Sequence, residues 1–198
     1  MFNKPILVFL MGILPFATIA QQTYQLDLKK STLFWKSPKS MGKQHFGYLS
    51  FSAGSLSYAS TGDPSTGTFV IDMNSINSTD RETASGRAEV NKLLKGDDFL
   101  SVAKYPMTTM MVKQIVRSKQ ANVYKVSGNL TIRGITHPIE FMAMIKKTGN
   151  TVTAKANFNI DRIKWNIHHK PKDWDFFAAV KNQVIADEFP VALNLVFR

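Results

Sequence analysis

The 198 residues include no cysteine. No disulfide can brace the chain and no thiolate can act as nucleophile or soft metal ligand, so stability must come from a buried core. Histidine is scarce, and two of the four, His168 and His169, are neighbours. Adjacent residues on a strand point to opposite faces, a poor arrangement for a shared metal. A Gly-rich phosphate loop, zinc-ligand spacing and a nucleophile elbow are also missing, and with them the usual grounds for expecting an enzyme. Asp97-Asp98 closes a helical stretch and is read as a solvated helix end rather than a catalytic acid pair. Catalytic residues, a metal and a cofactor are therefore not expected. Acidic residues are few, 14 against 25 basic, giving a net charge of +11. Such an excess attracts nucleic acid or anionic headgroups. The lysines, however, are scattered (Lys29, Lys36, Lys43, Lys104, Lys125, Lys155, Lys172) instead of lining one helix among aromatics. Nucleic acid is not expected as a partner; transient contact with an anionic membrane surface stays open.

Apolar runs long enough to span a bilayer as a helix, about 20 residues, are absent as well. The longest, Pro5–Phe16, follows a short positive start and precedes the small residues Ala17-Thr18-Ile19-Ala20. That order is the pattern of a secretory signal peptide. The expectation is cleavage near Ala20 and a periplasmic or secreted protein formed by residues 21–198 as one domain.

What the remaining sequence has in abundance is period-two alternation. Tyr124, Val126, Leu130 and Ile132 share one face of Val123–Arg133, and Lys125, Ser127, Asn129 and Thr131 the other. Thr151–Asp161 sets Val152, Ala154, Ala156, Phe158 and Ile160 against polar neighbours; Val191, Leu193, Leu195 and Phe197 repeat the pattern, as do Tyr24, Leu26 and Leu28. One dry face and one wet face mark antiparallel strands. Further strands are expected at Thr32–Ser37, Phe46–Phe51, Gly54–Tyr58, Gly67–Met73, Met107–Val116 and Pro138–Lys146. Ser60–Pro64 and Arg133–Pro138 are read as turns, and Gly149-Asn150 joins Pro138–Lys146 to Thr151–Asp161 as a hairpin. Residues 79–100 break the pattern: Val90, Leu93 and Leu94 fall at helical spacing before Gly96, and Thr79 and Glu82 stand in capping-box register. One or two short helices thus interrupt about eight strands. The class is all-β, a closed antiparallel barrel or a sandwich.

Several segments stand in order along the chain: Tyr24–Asp27 with Ser31–Phe34, His45-Phe46-Gly47, Thr68–Ile76 (TFVIDMNSI), Leu94–Leu100 with Lys104-Tyr105-Pro106, Val126–Pro138 (VSGNLTIRGITHP) and Ala156–Arg162 (ANFNIDR). Together they resemble the YceI-like family of polyisoprenoid-binding, lipocalin-like bacterial barrels. The run after Arg162, Ile163–Asp175, departs from the family's glycine-rich continuation. The resemblance implies a lipocalin-like barrel whose apolar face surrounds an isoprenoid-like or other long-chain amphiphile, for transport, storage or stress protection. The residues it places around the tail are Phe69, Ile71, Met73, Leu94, Phe99, Met111, Tyr124, Val126, Leu130, Ile132, Phe158 and Ile160, with Met107 harder to phase. Trp165, Trp174, Phe176 and Phe177 are read as a hydrophobic lid. Asp161-Arg162 is read either as an ion pair with a neighbouring strand or as surface polarity at a strand end. The alternatives are a barrel filled by its own side chains with a structural or interaction role, and a small outer-membrane barrel. A homodimer is compatible with everything above.

Overall fold

A computed structural model describes residues 22–37, 44–167 and 188–198. The expected signal peptide, His168-His169 and the aromatic residues Trp174, Phe176 and Phe177 lie outside them. The strands are β1 (Gln22–Gln25), β2 (Thr32–Lys36), β3 (Phe46–Tyr58), β4 (Pro64–Ser78), β5 (Met107–Arg117), β6 (Val123–Ile132), β7 (Ile135–Thr148), β8 (Thr151–Asp161) and β9 (Glu188–Phe197). One helix, α1 (Ala84–Lys95), lies between β4 and β5, and a 3₁₀ turn, Arg162–Trp165, follows β8.

Every ladder is antiparallel, and β3 pairs with β4 while β2 pairs with β9. Eight strands, β2 to β9, therefore close into a barrel. β1 is the extra strand: it pairs with the far half of β3, beside the half that β2 occupies. Residues Asp27 to Ser31 turn the chain between them. Asp27 Oδ1 accepts from the backbone N–H groups of Lys29 and Lys30, which ends the alternation early. Leu28, expected to face inward with Tyr24 and Leu26, is consequently 45% exposed.

The hydrophobic faces point into the barrel and the polar faces point out, apart from methionines on β5 and β7 that face outward. On β6, Tyr124, Val126, Leu130 and Ile132 are buried, whereas Lys125 is exposed. This is the reverse of a membrane-embedded barrel, whose outer band is apolar. The stretches expected as two strands, Phe46–Phe51 and Gly54–Tyr58, form one strand, its register shifting against β4 near Ser52. Bulges of this kind let a strand bend round a closed barrel. Another bulge sits on β5 between Val112 and Gln114, opposite Gly128. A Cβ on Gly128 would lie 2.3 Å from the Met111 carbonyl oxygen, so only glycine permits this approach.

Arg133-Gly134 forms a two-residue turn with both residues at positive φ, and the chain is already extended at Ile135. Pro138, read as part of that turn, thus lies within β7. Gly149-Asn150 joins Thr148 to its partner Thr151 as expected. The helix is capped by Thr83, whose Oγ1 accepts from Gly86 N at 3.1 Å, not by Thr79. Thr79 instead donates its backbone N–H to Phe46 O, because β4 runs on to Ser78. Val90 and Leu94 pack toward the barrel, while Leu93 is 46% exposed.

An apolar cavity as candidate functional site

The inward faces do not fill the barrel. They enclose a cavity of about 200 Å³ whose exposed wall is wholly apolar. That exceeds the roughly 150 Å³ at which a Leu/Ile/Phe-lined cavity stays dry and takes up benzene. Phe69, Ile71 and Met73 line it from β4, Val126, Leu130 and Ile132 from β6, and Phe158 and Ile160 from β8. Leu94 of α1 and Phe99 of the following loop reach it from one end. Ten of the twelve residues expected around a tail therefore share one wall.

The other two do not. Met111 points outward and is 57% exposed, as is Met107; Thr108, Met110 and Val112 are the inward residues of β5. Apolar residues occupy both faces of this strand, so alternation could not phase it. Tyr124 is buried but lies below the cavity, in the plug that closes the far end. There Tyr24 and Tyr58 meet edge to face at 5.3 Å, and Lys147 Nζ lies 5.1 and 5.3 Å from their ring centres. Burial, with Tyr124, Tyr24 and Asp63 nearby, pushes the Tyr58 hydroxyl up to about 12.

Wall residues not anticipated come from β7 and from the strands flanking the closure, including Trp35, Phe51, Ile139 and Phe141. Alternation was visible in these strands, but only the barrel's long-range pairing brings them to one cavity. Thr108 stands apart chemically. It lines the cavity, is 7% exposed, and its Oγ1 has no hydrogen-bond partner.

At the helix end, polar side chains tie the loops together. Arg133 donates to Asn166 O, Asp97 O and Ser101 Oγ, and Arg162 Nη1 donates to Ile167 O at 2.7 Å. Trp165 is 1% exposed, packs edge-on against His137, and donates from Nε1 to Leu130 O at 3.2 Å. These contacts anchor the 3₁₀ turn to β6 and β7. Asp161 accepts from Ile163 N with Oδ1 and faces Lys164 at 3.9 Å, so its carboxylate caps the 3₁₀ turn.

A second polar cluster joins three elements at the same end. Asp80 accepts from Ser78 Oγ and Phe46 N and pairs with His45 Nδ1 at 2.8 Å, with Arg81 Nε at 3.5 Å. Ser78 and His45 both engage the carboxylate instead of each other, which makes a clasp, not a nucleophile and its base. Burial alone would raise the Asp80 carboxyl; the hydrogen bonds from Ser78 and His45 outweigh it and hold the group below the usual carboxylate range.

A closed antiparallel barrel, polar outside and lined inside by an apolar cavity with a plugged base, defines a lipocalin-like protein. The chain belongs to the YceI-like family, whose domain model matches residues 24–197. A UPF0312 protein of Yersinia enterocolitica is 29% identical over 184 residues, 84% of this chain and 88% of its own length. Matching is shorter for a UPF0312 protein of Yersinia pestis: 33% over 104 residues, so the chain spans about half that relative's length. Among solved structures, BcnA of Burkholderia cenocepacia superposes with a TM-score of 0.68 at 23% identity, over 86% of this chain and 98% of its own. A polyisoprenoid-binding domain from Saccharophagus degradans gives 0.61 at 19% identity, over 88% and 97%. These two share the fold.

Proposed function

We propose that this protein is a non-catalytic, exported carrier that holds the tail of one isoprenoid-like or other long-chain amphiphile inside the barrel. It works in the periplasm or outside the cell, and meets its cargo at an anionic membrane surface. The observation that carries this reading is the cavity, which is lined by the barrel strands and has an exposed wall without polar atoms. Such a space is uncongenial to water and favourable to methylene and isoprene units, at roughly 25 cal/mol for each Å² buried. The family supports lipid binding, and the Saccharophagus relative is described as a polyisoprenoid-binding domain.

Mass spectrometry of an organic extract of the purified protein tests this directly, beside the variant Ile132→Lys. Ile132 is 7% exposed and lines the cavity, so a lysine there places an ammonium where the tail would lie. A stoichiometric lipid in the wild type, lost from a still-folded variant, is the expected result. An empty wild type that also fails to bind added prenols and fatty acids would reject lipid carriage in favour of a structural or interaction role.

A further inference from the structure

The barrel wall is not equally closed all round. β6 and β7 are joined by ten residue pairs and β8 and β9 by ten, β7–β8 and β4–β5 by six each, and the short β2 by four to each neighbour; at β7–β8 both strands run on beyond the last pair. Their ladder ends at Ala143 and Ala156, after which Ile135–Met142 and Asn157–Asp161 have no pairing with each other. Pro138 lies in this unpaired part of β7. Proline cannot donate to a ladder, and within sheets it is found at edges.

Side chains close what the backbone leaves open. One row beyond the paired alanines, the rings of Phe141 and Phe158 stack across the seam with centroids 4.3 Å apart and planes 12° from parallel. Both rings line the cavity and both are only half-buried. Further along, the 3₁₀ turn leaves β8 and lays Trp165 against His137 of β7. The result is a window in the wall, bounded by the alanine pair at one side and the tryptophan at the other, with two stacked rings in its frame. Parting any fully paired seam breaks backbone hydrogen bonds. Among the described residues, parting this one beyond Ala143 and Ala156 breaks no ladder pair and needs the half-buried rings of Phe141 and Phe158 to change rotamer.

We propose that the β7–β8 seam is a side portal gated by Phe141 and Phe158, through which the lipid tail enters and leaves the cavity; this rests on the carrier function above. The tail passes sideways between strands while the buried tyrosines at the far end and Trp165 stay in place. Outside the seam, Met142 and Met144 are 49% and 52% exposed, an apolar approach for a chain leaving a bilayer.

The absence of native cysteine makes the test clean. In Phe141→Cys/Phe158→Cys, a short thiol-to-thiol cross-linker bridges the portal. In Thr148→Cys/Thr151→Cys it bridges two residues already opposite each other in the paired part of the same ladder, neither of which lines the cavity. The probe is cis-parinaric acid delivered from phosphatidylglycerol-containing vesicles, with uptake followed by fluorescence. Bridging the portal should slow uptake about tenfold or more, and bridging the control pair should leave the rate unchanged. Slowing by neither bridge, or equal slowing by both, overturns the portal while leaving lipid carriage standing. No uptake by any form, the wild type included, overturns carriage and the portal together. Phe141→Ala/Phe158→Ala provides a check without cross-linking: its entry rate should rise, and an unchanged rate counts against the gate.

Discussion

Among the described residues, Thr108 is the cavity-lining residue whose hydroxyl is buried and unpartnered. Leaving such a group unsatisfied costs roughly 1–3 kcal/mol, and removing it without changing shape recovers part of that cost. Valine replaces the hydroxyl with a methyl of similar size. Thr108→Val should therefore raise the stability of the lipid-free protein by about 1 kcal/mol, read as a higher urea midpoint and a melting temperature up by about 2–4 °C. A loss of stability instead would show that the hydroxyl is satisfied in solution. The neighbouring face of the strand carries the opposite lesson. Met111 is apolar yet exposed, and substituting a polar residue there should disturb the core little, because side-chain chemistry on a two-faced apolar strand does not by itself reveal direction.

At the scale of elements, Asp80 binds the start of β3, the end of β4 and, through Ser78 N and Asn91 Oδ1, helix α1. Its carboxyl lies lower in the folded protein than in the unfolded chain. The stabilisation it supplies is present above the unfolded value of about 3.9 and is lost as pH falls through the lower folded value. Asp80→Asn should cost about 1–3 kcal/mol at neutral pH, and the gap to wild type should narrow in acid, as urea midpoints at several pH values will show. A gap that stays constant into acid would remove the carboxylate from the explanation. The same scale shows what was legible beforehand. β8 matches its expected limits, Thr151–Asp161, because alternation there is uninterrupted and both ends carry turn or polar residues. The helix start was displaced because Thr79 has the right residue type but is held by the β3–β4 ladder, a contact between residues 33 apart. Pro138 looked like a turn because its edge position depends on where β8 stops pairing. Ring closure and the half-open seam likewise arise from long-range pairing that leaves no local signature.

Considered whole, the molecule carries a net charge of +11 on a polar exterior that nonetheless exposes Met142 and Met144 beside the seam. Lys155 lies directly opposite Met144, and Lys146 and Lys147 continue β7. Apolar side chains among lysines suit the interface of an anionic bilayer, where each lysine contributes about 1 kcal/mol and adaptable thioethers can enter the headgroup layer. Exposed lysines alone would give the same attraction on any face of the barrel, so the position of the methionines is the discriminating feature. Met107 and Met111 are equally exposed but lie on β5, two strands away round the ring. Co-sedimentation with phosphatidylglycerol vesicles should be strong at low salt and weaken as ionic strength shortens the screening length from ~30 Å toward ~3 Å. Met142→Glu/Met144→Glu should lower retention several-fold, while Met107→Glu/Met111→Glu, which adds the same charge elsewhere, should lower it less. Equal losses from the two variants would reduce the contact to net charge and deny this face a part in it. A larger loss at Met142 and Met144 would orient the barrel with the weak seam against the membrane, where a lipid tail has the shortest path into the cavity.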